Sequence, residues 1–204
     1  MIKVELLAPV EPYGSNCYLI SSGNEYAIID PSADYIKTLD THPELKNNLK
    51  FVLITHAHFD HILTLNDWAA ACDELVYVGK EDAPGLSDSI LNCYRGFLGI
   101  NDGYFGKFAV LSEGDTLDIG GEKINVIGCP GHTPGGLSYQ IGDKVFCGDT
   151  VFAGGGYGRC DLPGGDIAVL EKTLIKLITQ ITDATFYPGH GPTTTLKEIV
   201  YNFM

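Results

Sequence analysis

Three of the six histidines in the chain fall in one heptapeptide, Thr55-His56-Ala57-His58-Phe59-Asp60-His61, directly after the apolar run FVLI. In an extended segment, residues two apart project to the same side, so His56 and His58 can present both imidazoles to one point. Asp60 and His61 follow where the chain should turn into a helix, and adjacent side chains on a turn diverge enough to address a second point. Two more histidines stand in matching contexts. INVIGC is followed by Pro130-Gly131-His132-Thr133-Pro134-Gly135-Gly136, and ATFY by Pro188-Gly189-His190-Gly191-Pro192. Asp149 follows a third apolar run, in KVFCGDT. If these run ends share one rim of the fold, five imidazoles and two carboxylates converge. Such donors suit zinc, iron(II) and manganese, and the set contains no thiolate, which points away from a purely structural zinc site. The expected cofactor is a pair of divalent ions, zinc first, with iron or manganese as the alternatives. His42, before Pro43, stands outside the pattern and reads as an exposed residue without a role.

The elements that must carry these residues are short. Glycine and proline punctuate the chain (25 Gly, 10 Pro), and the apolar runs between them have strand length. Strands are expected at 16–22 and 25–30, in the hairpins TLDIGGEKINVIGC and LSYQIGDKVFCGD, and at 51–55 and 184–188, at least eight in all. Helical period appears in DIAVLEKTLIKLITQI behind the N-cap Asp166, in HILTLNDWAAAC, and in THPELKNN, where Thr41 and Glu44 have capping-box spacing. Hairpins mixed with separated helices indicate an α/β architecture, with sheets covered by helices. Residues 81–112 have no clear period and read as a long, partly helical excursion, a candidate lid insertion in a single 1–204 domain.

Composition narrows the function classes. With 13 Lys+Arg against 26 Asp+Glu, the net charge of −13 points away from nucleic acid. A hydrophobic share of 45% is enough for a packed core. No apolar run approaches the length of a membrane span, so the expectation is a cytoplasmic protein acting on a small molecule, without a membrane partner. The six cysteines form no CxxC pair and read as free, mostly buried thiols. No feature of the sequence speaks to oligomeric state.

The motifs THAHFDH, PGHTPGG, CGDTVF and PGHGP, in this order, resemble the series of the metallo-β-lactamase superfamily, and most closely its glyoxalase II-like thioester hydrolases. The resemblance spans roughly residues 14 to 192. It implies an αββα sandwich of two mixed β-sheets flanked by helices, with a dinuclear site at one edge. Carried over position by position, it assigns His56, His58 and His132 to one metal, Asp60, His61 and His190 to the other, and Asp149 as the bridge. It also gives Asp30 a part in orienting the HxHxDH loop, although Asp30 reads equally well as the start of a turn before Pro31.

The chemistry that fits is hydrolysis. Two close divalent ions make a shared water acidic enough to supply hydroxide near neutral pH and can polarise a carbonyl, with Asp60 the residue to orient the nucleophile. The expected function is a dinuclear hydrolase of a small thioester or acyl ester. The chain departs from the longer glyoxalase II enzymes in leaving room for only one short helix after His190, so most of their glutathione-binding region has no counterpart. The loop Gly154-Gly155-Gly156-Tyr157-Gly158-Arg159-Cys160-Asp161 resembles the family loop that reaches the substrate, which makes Arg159 and Tyr157 the candidate contacts, while an Arg159–Asp161 hydrogen bond is the plainer reading. Tyr94, Phe97, Tyr104 and Phe105 are candidates to line a pocket. Two other functions compete: an iron(II) persulfide dioxygenase of the same fold, using His56, His132 and Asp149 alone, and a non-catalytic metal-binding module, against which the intact Asp60 speaks.

Overall fold

The computed structural model describes residues 1–72 and 75–203, so Asp73, Glu74 and Met204 of the 1–204 span lie outside the described residues. Two six-stranded sheets are present. The first runs β1 (Lys3–Leu7), β2 (Cys17–Ser22), β3 (Glu25–Ile29), β4 (Leu49–Leu53), β5 (Val76–Gly79) and β6 (Ala109–Leu111). β1, β2 and β3 pair antiparallel, and β3 through β6 are parallel. The second sheet has the order β12 (Thr194–Thr195), β11 (Thr185–Pro188), β10 (Lys144–Gly148), β9 (Leu137–Ile141), β8 (Glu122–Gly128) and β7 (Thr116–Ile119). Its pairs are antiparallel except β10 with β11.

Strand alternation builds three apolar layers. On β2, β3 and β4, Tyr18, Ile20, Ala27, Ile29, Phe51 and Leu53 face the second sheet and meet Ile124, Val126, Tyr139, Ile141 and Phe146. The intervening Leu19, Ile28 and Val52 face the other way, into a layer with Leu65 and Trp68. Behind the second sheet, Val145, Cys147 and Phe186 pack against Leu170, Leu174, Leu177 and Ile199. Complete burial of such side chains contributes about 1.5–3 kcal/mol each, so the helices are held by their apolar faces. The result is the expected αββα sandwich. The helices are α1 (Tyr35–Thr41), α2 (Leu45–Asn48), α3 (Leu65–Ala71), α4 (Tyr94–Leu98), α5 (Ile167–Gln180) and α6 (Leu196–Phe203). Among the described residues no helix is long and apolar enough to cross a membrane.

Several local expectations are met. Asp166 caps α5, its Oδ1 accepting from Ala168 N at 2.9 Å and Val169 N at 3.1 Å. All six cysteines are free, five of them buried. Others are corrected. Thr41 ends α1 instead of capping a helix, and its hydroxyl donates to Thr38 O at 3.1 Å. The cap in this region is Asp34, at the start of α1. Pro43, which has no N–H and disfavours helical backbone at residue 42, separates α1 from α2 there. His42 is not exposed but partly buried, with Nε2 3.1 Å from Glu5 Oε2. The 81–112 segment is not all excursion, since residues 109–111 pair with β5 as the edge strand β6.

Candidate metal centre

Every candidate ligand follows the C-terminal end of a strand. β4 leads into His56, His58, Asp60 and His61, β8 into His132, β10 into Asp149 and β11 into His190. A short 3-10 turn, Phe59–His61, carries Asp60 and His61 away from the extended His56–His58 stretch. The two halves of the HxHxDH segment therefore aim at different points, as its spacing indicated.

All seven side chains converge. His58 Nδ1 lies 2.9 Å from His132 Nε2, which lies 3.1 Å from His56 Nε2. A second group forms where His190 Nε2 lies 3.1 Å and His61 Nε2 3.8 Å from Asp60 Oδ2. Asp149 stands between the groups. Its Oδ1 is 3.3 Å from His61 Nε2, and its Oδ2 is 3.6 Å from both His132 Nε2 and His190 Nε2. In each of the sets His56–His58–His132, His56–His61–Asp149 and Asp60–His61–His190, the donor atoms lie within 4.8 Å of one another.

Hydrogen bonds on the far side of the rings decide which nitrogen faces inward. His132 Nδ1 donates to the Arg159 carbonyl at 2.7 Å, which leaves Nε2 as the lone pair. His61 Nδ1 donates to Asp30 Oδ2 at 2.8 Å. Asp30 also accepts from Thr55 N and Thr55 Oγ1, each at 2.7 Å, so one buried carboxylate at the end of β3 orients both the loop and a ring. Ring nitrogens 3 Å apart with lone pairs toward one another need a cation among them, and His61 Nε2 and Asp149 Oδ1 are buried without a hydrogen-bond partner. A divalent ion satisfies both conditions, and the two groups joined by Asp149 fit a dinuclear site.

The electrostatics divide the rings. Burial and the neighbouring rings hold His56 well below the ordinary histidine value, and burial takes His58 down to about 3, so both are neutral and ready to ligate near pH 7. His61 is raised despite its burial, because Asp30, Asp60 and Asp149 surround it. His190 is raised chiefly by its hydrogen bond to Asp60. Burial pushes Asp60 and Asp149 upward, but the facing histidines outweigh it and leave both carboxyls below their ordinary value.

Other residues that build the site escaped the reading by residue type. Asn16 N donates to Gly189 O at 2.7 Å, while its Nδ2 donates to Pro188 O at 2.9 Å and Gly191 O at 2.8 Å, clamping the His190 loop. Tyr18 OH adds a bond to Pro188 O at 2.7 Å. Gly189 allows this approach, since a Cβ there would run into the Asp149 carboxylate and the His61 ring. A Cβ on Gly158 would lie 2.6 Å from His132 Nδ1. Gly189 and Gly158 had one signal in the sequence, a place next to a ligand and within the GYGR loop, whereas Asn16 and Tyr18 lie far along the chain from both.

The profile of the metallo-beta-lactamase superfamily matches residues 10–190. The chain belongs to this superfamily. Relatives include the probable metallo-hydrolase YqgX of Bacillus subtilis, 36% identical over 91% of this chain and 89% of that protein. The hydroxyacylglutathione hydrolase GloC of Haemophilus influenzae is 30% identical over 97% of this chain and 94% of its own length. Among solved structures, TTHA1623 in a di-iron-bound form superposes with a TM-score of 0.84 and 30% identity, covering 98% of this chain and 100% of that one.

In this superfamily member a cavity of about 210 Å³ opens over the cluster, lined by Phe59, Cys93, Phe97, Leu162 and Arg159 beside His58, Asp60, His132, Asp149 and His190. Of the four candidate pocket aromatics, Phe97 lines it. Tyr94 and Tyr104 are buried in the layer outside the first sheet, and Phe105 is exposed. Tyr157 is exposed and stands outside the lining among the described residues. Arg159 reaches the cavity with its guanidinium bound bidentately to Asp161, Nε to Oδ1 and Nη2 to Oδ2, both at 2.6 Å.

Proposed function

We propose that this chain is a dinuclear metal-dependent hydrolase acting on a small thioester or acyl ester. The observation that carries the reading is Asp149, placed with its two oxygens between a three-histidine group and the Asp60–His61–His190 group. His56, His58 and His132 would hold one ion and Asp60, His61 and His190 the other, with Asp149 shared. Zinc is placed first, and iron and manganese accept the same donors. When bound, two such ions supply Lewis-acid polarisation of a carbonyl and an acidified water.

The residues of the chain do the rest. Asp60, kept ionised and about one-sixth exposed, offers a carboxylate oxygen on the cavity side to orient a nucleophile. Phe59, Phe97, Cys93 and Leu162 give the acyl portion an apolar wall. A cavity of about 210 Å³ suits a small group, being below the roughly 300 Å³ at which drug-sized ligand pockets begin. Arg159 is placed to meet the rest of the substrate at the rim. The names of YqgX and GloC support hydrolysis, and that of GloC supports a thioester of a small hydroxy acid.

The test is metal content per chain after purification without added metal, with assays of S-D-lactoylglutathione hydrolysis and of oxygen uptake on glutathione persulfide. About two ions per chain with thioester cleavage is the expected outcome. One iron per chain with oxygen uptake would overturn it in favour of the dioxygenase, and two ions with no turnover of thioesters or acyl esters would refute the substrate class.

A further inference from the structure

Two parallel strands flank β4 in the first sheet, and each is followed by a buried aspartate. β3 is followed directly by Asp30, which binds Thr55 and His61. β5 leads through a turn to Asp82, whose amide donates to Gly79 O at 3.0 Å. The Asp82 side chain is turned back toward the ligand loops. Its Oδ2 accepts from Thr133 Oγ1 at 2.7 Å and from Ala57 N at 3.3 Å, and its Oδ1 accepts from Gly135 N at 2.6 Å.

The position of these donors is informative. Ala57 lies between His56 and His58, and Thr133 follows His132. One carboxylate thus ties together the two loops, from different sheets, that supply the three-histidine group. Among the hydrogen bonds of the described residues, the Asp82 carboxylate has none to Asp60, His61 or His190. The approach is close on both sides. A Cβ on Gly79 would collide with the Gly135 carbonyl, and a Cβ on Gly135 would collide with the Asp82 amide. A carboxylate suits this place because it only accepts, and three donors converge on it, two backbone amides and a hydroxyl. Asparagine would set an NH2 against one of those amides, and alanine would leave all three donors unpaired in the interior.

We infer that Asp82 is a positioning residue for one half of the centre: it sets the spacing of His56 and His58 against His132 and leaves the Asp60–His61–His190 group alone. The inference rests on the metal reading above. Its test isolates each half. Cobalt(II) and zinc binding isotherms are measured on Asp82→Asn in a His190→Ala background, which keeps the three-histidine group, and in a His132→Ala background, which keeps the other group. Loss of such an outer partner typically weakens metal binding 10- to 100-fold. The expected result is weakening of that order in the His190→Ala background and less than about 2-fold change in the other, together with a change in the cobalt(II) visible spectrum of the first alone.

Thr133→Val, which removes one donor and keeps the carboxylate, serves if Asp82→Asn does not fold. It should weaken the same half by roughly 10-fold or more, as for one hydrogen bond to a charged acceptor. Equal weakening in both backgrounds would show a general loss of folding stability and overturn the inference, as would unchanged affinity in both. A wild-type chain that binds no divalent ion would sink the metal reading and this inference with it. A wild-type chain that binds two ions, with both halves indifferent to residues 82 and 133, would sink the inference alone.

Discussion

Asp30→Asn is a one-atom exchange whose consequence can be followed through the hydrogen bonds. The wild-type carboxylate accepts three, from Thr55 N at 2.7 Å, Thr55 Oγ1 at 2.7 Å and His61 Nδ1 at 2.8 Å. Asparagine keeps one acceptor oxygen, which the Thr55 amide can retain, and turns the other into an NH2 facing Thr55 Oγ1 and His61 Nδ1. To meet that donor, His61 must make Nδ1 an acceptor and carry its proton on Nε2, the atom facing Asp60 and Asp149. Residue 30 has φ of 53°, a backbone state that asparagine tolerates as aspartate does, so the variant does not confound the result with strain. One or two hydrogen bonds to a charged acceptor are lost, at about 1.5–3 kcal/mol each. For a chain of this size that corresponds to a melting point lower by roughly 3–24 °C. Affinity for the second ion should fall about 10- to 100-fold, or about 1.4–2.7 kcal/mol. Thermal melts of the metal-free protein and cobalt(II) titration of the folded variant measure the two effects. A variant that takes up two ions with wild-type affinity would refute the claim that Asp30 sets the tautomer of His61.

Replacing Asp149 by Ala removes the shared ligand and should cost at least one bound ion and turnover by orders of magnitude, read by metal analysis and steady-state kinetics; full activity with two ions bound would contradict a bridging role. Replacing Arg159 by Ala should leave metal content unchanged, because the backbone carbonyl of residue 159 holds His132, and should raise KM more than it lowers kcat; loss of metal would show that the side chain shapes the loop. Zinc uptake by metal-free protein should release protons near pH 7. His61 and His190 are raised above the ordinary histidine value, His61 by the surrounding carboxylates and His190 chiefly by its hydrogen bond to Asp60, so each holds more proton there than an ordinary imidazole, and the release should shrink as pH rises. An indicator-dye titration with no release at pH 6.5 would refute the charge assignment. The same competition makes activity fall on acidification.

The convergence of the seven candidate ligands was legible because its signals are local. Period-two spacing within HxHxDH and the recurrence of His or Asp after apolar runs need only the chemistry of a few adjacent residues. α5 was legible through its apolar stripe and Asp166. β1, β5, β6 and β12 were not, because each is at most five residues long and three of them are sheet-edge strands with the fourth, β5, beside one, where burial leaves a weak alternation. Missing β5 had a further effect. With no strand ending at Gly79, Asp82 fell among the residues of an apparent excursion, although it follows a strand end as Asp30 does. Thr41 and Glu44 misled because Thr41 is already the last residue of α1, which Pro43 helps to end, so it cannot serve as the cap that their spacing implied.

The clamp of Asn16 on residues 188 to 191 sets an order of events during synthesis. The first sheet supplies His56 and His58 early, but His132 lies in the second half of the chain and His190 is held by a segment laid down 172 residues before Pro188. A growing polypeptide on the ribosome therefore cannot present either complete set of ligands until most of it has emerged. Assembly of the Asp60–His61–His190 group must wait until the last of these loops folds back onto the first strands. If the centre is dinuclear, capture of its second ion would come at the end of biogenesis, and a chain stopped before residue 188 would hold the three-histidine group without the Asp60–His61–His190 group.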